Sequence, residues 1–254
     1  MRAMILGAGR GERLRPLTDS LPKILVPVLG VPMLDRLVAF LGRAGITELA
    51  LNTFHLGDLV TRHVRALAAT TPAAPPITLL PEKTLLGTGG GLRNAASFWG
   101  EEPLLVWNGD ILAELDPAAL LEAQQGSRAV ATLVMQARAT DSRLLVDSDG
   151  SVIGLDSERR GERRLLREPT GVPRGLAFHG ISLLAPGLRN WMERKEPFDL
   201  IDVLLEAAAA GPGVQTLDAG QSFWGTTGSS EQLAALEQEL AARPGLLARW
   251  TPGR

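Results

Sequence analysis

An apolar run, Ala3-Met4-Ile5-Leu6, passes without a break into Gly7-Ala8-Gly9-Arg10-Gly11-Glu12-Arg13, and Pro16, Pro22 and Lys23 follow. A buried strand that empties into glycines lets main-chain N–H groups approach an anion without Cβ interference. Arg13 and Lys23 add side-chain cations able to reach the same anion. Two familiar phosphate loops do not fit. The dinucleotide fingerprint G-x-G-x-x-G needs glycine where Glu12 stands and an acid at the end of the next strand, where the chain reads Leu51-Asn52-Thr53. The P-loop needs Gly-Lys followed by Ser or Thr, which the chain lacks. Pro16 and Pro22 also oppose an immediate long helix. The segment reads as a long irregular loop over phosphates.

The periodicity beyond the loop predicts an α/β chain. Met33, Leu34, Leu37, Val38, Phe40 and Leu41 recur at helical spacing before Gly45, and Glu48–Leu51 resumes strand. Leu56, Leu59, Val60, Val64 and Leu67 mark a second helix face, a Pro/Ala-rich connector spans 70–76, and Ile77–Leu80 is a strand. A helix over 89–99 and a strand over 104–107 complete a third unit ending at Asn108-Gly109-Asp110. Strands separated by helices imply a parallel sheet with ligands at its carboxyl ends. After Asp110 the pattern shifts to antiparallel strands over 129–135, 143–146 and 152–155, with Asp149-Gly150 as a hairpin turn. A strand over 175–184, helices near 188–194 and over 200–210, a strand over 214–217 and a helix over 230–242 follow. The cluster over 158–164 alternates arginines with glutamates and reads as a solvated loop.

With 254 residues, 45% hydrophobic, the chain suffices for one sizeable core, and two full domains would be cramped. A formal charge of −2 gives no bulk attraction to nucleic acid or anionic membranes, so an anion must be bound locally. No cysteine is present, which excludes disulfides and thiolate chemistry. The first apolar run is too short for a signal-peptide core and nothing approaches a membrane span of about 20 residues, so a cytoplasmic protein is expected.

Three further groups carry chemistry. Asn108-Gly109-Asp110 places a carboxylate at a strand end beside a glycine, suited to Mg²⁺, although a turn or helix cap is the other reading of the same residues. Glu82 with Gly87-Thr88-Gly89 offers a polar side chain and room for a flat base, or else a flexible glycine loop. His179-Gly180 sits in a strand where the imidazole hydrogen-bonds a ligand hydroxyl or simply packs. His55 and His63 lack metal-ligand spacing and read as structural.

The stretch Gly7-Ala8-Gly9-Arg10-Gly11-Glu12-Arg13-Leu14-Arg15-Pro16-Leu17-Thr18, with Pro22-Lys23 and Pro27-Val28, resembles the signature of the sugar-1-phosphate nucleotidyltransferases. The Thr88-Gly89-Gly90-Gly91-Leu92 form is similar to the N-acetylmuramate-1-phosphate uridylyltransferase branch, which points to UTP. The resemblance implies a Rossmann-like three-layer α/β fold with a mixed, mainly parallel central sheet. It implies one domain, with residues 1–110 as nucleotide half, 111–242 as sugar half and 243–254 as a tail. The implied substrates are an NTP and a sugar 1-phosphate, with Mg²⁺ as cofactor and no nucleic acid or membrane partner; a homo-oligomer stays open. Arg13, Lys23 and Asp110 take the catalytic roles, Asp110 as metal ligand. Leu6, Gly7, Ala8, Gly9, Gly11, Glu82, Gly87, Thr88 and Gly89 are implied on the nucleotide, and Asn108, His179 and Gly180 on the sugar.

Two positions depart from the family's pattern. Thr226, in Trp224-Gly225-Thr226-Thr227-Gly228-Ser229, stands where the family has a second metal aspartate, and Asp202 or Asp218 are alternative helpers. Arg167-Glu168-Pro169 stands for an E-K-P element, without its lysine. An NTP-binding module without turnover is therefore the alternative to an enzyme.

Overall fold

A computed structural model describes residues 1–211 and 213–253, which form two units. The first comprises residues 1–85, 107–114 and 223 onward, and the second comprises Leu86–Val106 and Leu115–Ser222. No helix among the described residues is long and apolar enough to cross a membrane.

The first unit is built on parallel strands. Arg2–Leu6 pairs in parallel with Glu48–Thr53, which pairs in parallel with Ile77–Pro81. Ala3, Met4, Ile5, Leu49, Ala50 and Leu51 have no exposed surface, as a strand covered on both faces requires. Helix Met33–Arg43 buries Met33, Leu34, Leu37, Val38, Phe40 and Leu41, the stripe expected from three- and four-residue spacing. It stops at Ala44-Gly45, where Gly45 takes a φ of 82° that a side chain would resist. Helix Gly57–Thr70 follows the middle strand and buries Val60 and Val64.

Residues past helix Ser230–Ala242 are part of this core. Pro244–Arg249 forms a short helix, and Trp250 stacks on Phe40 with ring centroids 3.8 Å apart and planes 12° apart. Trp107 packs tilted against both rings at 5.6 and 6.1 Å. Arg36, 2% exposed, ties the chain end down: Nε and Nη2 donate to the Val28 carbonyl and Nη1 to that of Trp250. Burial pulls this guanidinium's pKa below its ordinary value, with the Glu237 carboxylate opposing.

The second unit is mainly antiparallel. Its strands lie in the order Glu162–Leu165, Val152–Ser157, Ser142–Val146, Arg174–Leu184, Ala131–Gln136 and Val214–Asp218, and only the last pair is parallel. Gly150, at φ 82°, makes the expected turn. The cluster over 158–164 closes a hairpin, and Arg160 is tied to Asp199 and Asp202. The helix expected over 89–99 is two, Gly87–Asn94 and Ala96–Trp99, broken at Ala95. The one expected near 188–194 is a 3₁₀ segment, Pro186–Trp191.

Replacing Trp250 by alanine removes one of three mutually packed rings and should cost about 3–5 kcal/mol. Urea unfolding of the variant beside wild type checks this, and a loss below about 1 kcal/mol would contradict the packing described.

Candidate functional site

In the first unit, the glycine loop is held open by its own neighbours. The Gly7 N–H donates to Asn52 Oδ1 at 2.8 Å, and a Cβ on Gly7 would stand 2.5 Å from Leu51 Cδ1. Gly11, at φ 68°, is pinned through its carbonyl by the Thr18 hydroxyl at 2.8 Å and the Leu14 N–H at 2.8 Å. Gly9 between them is exposed, with no atom within 4 Å of where a Cβ would lie. The loop thus has fixed ends and an open middle.

Strand Leu104–Asn108 ends against this loop. The Gly109 N–H donates to the Leu6 carbonyl at 3.0 Å, and a Cβ on Gly109 would lie 2.5 Å from Ile24 Cδ1 and 2.8 Å from that same carbonyl oxygen. This contact brings Asp110 to Lys23, whose Nζ donates to Asp110 Oδ2, with side chains 18% and 23% exposed. Strand Trp224–Thr226 pairs antiparallel with Ile111–Ala113, placing Thr226 opposite Ile111, and the Thr227 N–H donates to the Asp110 carbonyl at 2.9 Å. The buried Thr227 hydroxyl has no partner among the described residues. Arg13 is exposed, with no carboxylate partner among them; a Cβ on Gly228 would lie 3.2 Å from its Nη2 and 3.4 Å from Thr226 Oγ1. Arg13, Lys23, Asp110 and Thr226 are therefore gathered, with Ala8 buried and Leu6 and Asn108 half-buried at the adjoining strand ends.

Glu82 is 9% exposed; its N–H donates to the Thr53 carbonyl, and its Oε1 accepts from Asn52 Nδ2 at 2.7 Å. A cavity of about 590 Å³ opens beside it, lined among others by Phe54, Asp58 and Arg62.

In the second unit, Gly87 has a φ of 78°, the Gly89 N–H donates to the Phe198 carbonyl at 3.0 Å, and the Thr88 hydroxyl accepts the Leu200 N–H at 2.8 Å. A Cβ on Gly89 would meet Phe198 Cδ2 at 2.5 Å, so Phe198 packing alone demands glycine here. Gly180, at φ 79°, lies in a register shift between Phe178 and Ser182, a bulge of the kind that re-aims neighbouring side chains. His179 has no exposed surface. Gln136 Nε2 donates to the carbonyls of Gly220 and Ser222, so its Oε1, 3.2 Å from His179 Nε2, accepts from the imidazole. Burial, then the Arg138 charge, lowers the pKa of His179 to about 4 against the pull of Asp218, keeping the ring neutral at pH 7.

Several side chains are committed elsewhere. Arg167 donates to Asp147 Oδ2 at 2.8 Å and to the Ser151 hydroxyl at 2.6 Å. Asp147 has no exposed side-chain surface; burial opposes its ionisation, but donors on Thr170, Ser148 and Arg167 hold its pKa down to about 2. Asp202 pairs with Arg160, and Asp218 with Arg174 at 3.3 Å. His55 Nε2 lies 2.9 Å from the Thr18 carbonyl. His63 sits 2.5 Å from Asp35, whose hydrogen bond raises the imidazole's pKa against burial. No group of three or more His, Asp or Glu among the described residues forms a ready-made metal cluster.

The model of the nucleotidyl transferase family matches residues 2–144. The chain belongs to this family. The N-acetylmuramate alpha-1-phosphate uridylyltransferase of Neisseria meningitidis is 41% identical over 123 residues, covering 48% of this chain and 52% of that protein. The mannose-1-phosphate guanylyltransferase of Mycobacterium tuberculosis is 36% identical over 131 residues, 52% of this chain and 36% of that protein. The chain thus spans about half, or less, of the length of these curated relatives. The inositol-1-phosphate CTP transferase of T. maritima superposes with a TM-score of 0.74 over 95% of this chain and 96% of that one, at 19% identity. This likeness shows the Rossmann-like α/β nucleotidyltransferase fold with its mixed sheet.

Asn52 and Thr227 went unread in the sequence; both act through contacts 30 or more residues distant in the chain, of which sequence carries no local mark. Gly109→Ala should destabilise the protein by about 1–3 kcal/mol through overpacking, whereas Gly9→Ala should leave stability unchanged. Thermal unfolding of both checks the contrast, and equal effects would contradict the geometry.

Proposed function

We propose that the protein transfers a nucleotidyl group from an NTP to a sugar 1-phosphate, giving an NDP-sugar and pyrophosphate. The observation that carries this reading is the Lys23–Asp110 pair seated by Gly109 against an open glycine loop. A phosphate oxygen of the sugar 1-phosphate attacks the α-phosphorus, the bond from that phosphorus to the bridging oxygen breaks, and the electron pair leaves on pyrophosphate. The nucleophile is already an anion, so the protein's task is positioning and charge neutralisation, with no general base. The loop N–H groups of Gly7, Ala8, Gly9 and Gly11, next to Leu6, cradle the phosphates. Arg13 holds the departing β- and γ-phosphates, and Lys23 bridges the α-phosphate and the incoming one. Glu82, Gly87, Thr88 and Gly89 serve the nucleoside; Asn108 and Gly180 serve the sugar, with His179 supporting the bulge from within.

Asp110 suits Mg²⁺, an ion that takes one or two carboxylates together with substrate phosphates; the carboxylate already holds a cation in the Lys23 ammonium, Thr226 ends the adjoining strand, and Thr227 just past it donates its N–H to the Asp110 carbonyl. When bound, the ion would offset charge on the phosphate oxygens. The reading assigns residues 1–110 chiefly to the nucleotide and 111–242 chiefly to the sugar, and places the reaction in the cytoplasm, where NTPs are available. The uridylyltransferase of Neisseria favours UTP. The threonine at 226 supports a second reading, an NTP-binding module without turnover, because a neutral hydroxyl is a poorer Mg²⁺ ligand than a carboxylate.

The test is pyrophosphate release from four NTPs with a panel of sugar 1-phosphates and Mg²⁺. One pair should turn over, and Lys23→Ala or Asp110→Asn should lower its rate by about 10²–10³ without shifting the melting temperature. NTP binding with no turnover of any pair would establish the binding module instead.

A further inference from the structure

Three side chains from separate elements end over the bare backbone of Gly228. A Cβ built there would lie 2.5 Å from Gln232 Oε1, 3.2 Å from Arg13 Nη2 and 3.4 Å from Thr226 Oγ1. Arg13 comes from the 3₁₀ turn Glu12–Leu14, Thr226 ends strand Trp224–Thr226, and Gln232 stands in the first turn of helix Ser230–Ala242. The oxygens gathered with the guanidinium are thus an amide and a hydroxyl, and neither carries charge.

The carboxylates of that helix are engaged elsewhere. Glu231 Oε2 accepts the Ser229 hydroxyl at 2.7 Å, Glu237 Oε1 accepts the Leu29 N–H at 2.7 Å, and Glu239 pairs with Arg243 at 3.1 Å. The cations nearest Arg13 in the loop sequence are compensated, Arg15 by Asp19 at 3.2 Å and Lys23 by Asp110. Arg13 keeps no carboxylate partner among the described residues. The helix start sharpens the point. Ser229 caps it, its hydroxyl oxygen accepting the Gln232 N–H at 3.3 Å. Residue 232 is therefore the third helical position, where a capping box takes glutamate or glutamine and the helix dipole favours the glutamate. A glutamate there would set a carboxylate against the Arg13 guanidinium. The chain has glutamine.

We infer that Gln232, together with Thr226, is a positioning residue whose lack of charge keeps Arg13 uncompensated and so available to a diphosphate. The inference rests on the reading of Arg13 as the group that holds the β- and γ-phosphates. A guanidinium paired with a carboxylate has donors occupied and charge cancelled, and an anion must break that pair in order to bind. Beside an amide and a hydroxyl it gives up only neutral contacts. Gln232 touches no phosphate in this arrangement; it acts on the ligand through Arg13 alone.

The experiment measures binding of inorganic pyrophosphate by calorimetry, at low ionic strength and without metal, together with the melting temperature, for wild type, Arg13→Ala, Gln232→Glu, Gln232→Ala and Thr226→Asp. Wild type should bind, and Arg13→Ala should bind at least about tenfold more weakly. Gln232→Glu should also weaken binding about tenfold or more, yet melt no lower than wild type, because glutamate keeps the cap. Gln232→Ala removes the amide without adding charge and should bind within about twofold of wild type. Thr226→Asp brings a carboxylate to the same guanidinium from the strand and should weaken binding as Gln232→Glu does. Gln232→Glu binding as tightly as wild type overturns the inference. So does Gln232→Ala binding as weakly as Gln232→Glu, since the amide itself and not its neutrality would then be required. Arg13→Ala binding like wild type, or wild type binding no pyrophosphate, overturns the phosphate role of Arg13, and the inference falls with it.

Discussion

Gly109 is the position on which the first unit's site depends. Its N–H is bonded to the Leu6 carbonyl, and a methyl there would lie 2.5 Å from Ile24 Cδ1. No larger residue lets strand Leu104–Asn108 end so close to the strand that precedes the glycine loop. That approach brings the carboxylate of Asp110 to the ammonium of Lys23, the residue before Ile24. The neighbouring threonines follow, because Ile111 pairs with Thr226 and the Asp110 carbonyl receives the Thr227 N–H. A single missing side chain thus sets the spacing between the glycine loop and the Asp110 carboxylate.

The electrostatics are correspondingly local. A formal charge of −2 over 254 residues supplies no broad field for an anion, and positive potential is local, as at Arg13, Lys23 and the loop N–H groups. Elsewhere arginines are consumed in structure. Arg36 holds the chain end through carbonyls, Arg160 spans Asp199 and Asp202, and Arg167 serves the buried Asp147. The arginine at 167, where the resembled pattern has a lysine nearby, is thus already bonded within the second unit.

The features legible in the sequence were those with a local cause. Apolar runs gave the strands over 2–6, 48–53 and 77–81, and glycine with proline marked the loop that follows the first of them. What was not legible depends on distant partners. Asn52 looks like an ordinary strand end until Gly7 and Glu82 are seen to share its amide. The strands Ile111–Ala113 and Trp224–Thr226 are three residues each, too short for periodicity, and exist because they pair. Gly89 reads as space for a base or as a flexible loop, while in the fold a Cβ there would meet Phe198 Cδ2 at 2.5 Å. His179 reads either as a group facing a ligand or as a packed residue, and in the second unit it has no exposed surface and places Nε2 3.2 Å from Gln136 Oε1.

In the proposed reaction one phosphate anion displaces pyrophosphate from another phosphorus directly, with the protein supplying charge and alignment. The stereochemical course of transfer from a chiral α-thio NTP tests it most directly. A single displacement predicts complete inversion at the α-phosphorus in the NDP-sugar formed. Net retention would require two displacements and a nucleotidyl group carried on a protein side chain, contradicting the account.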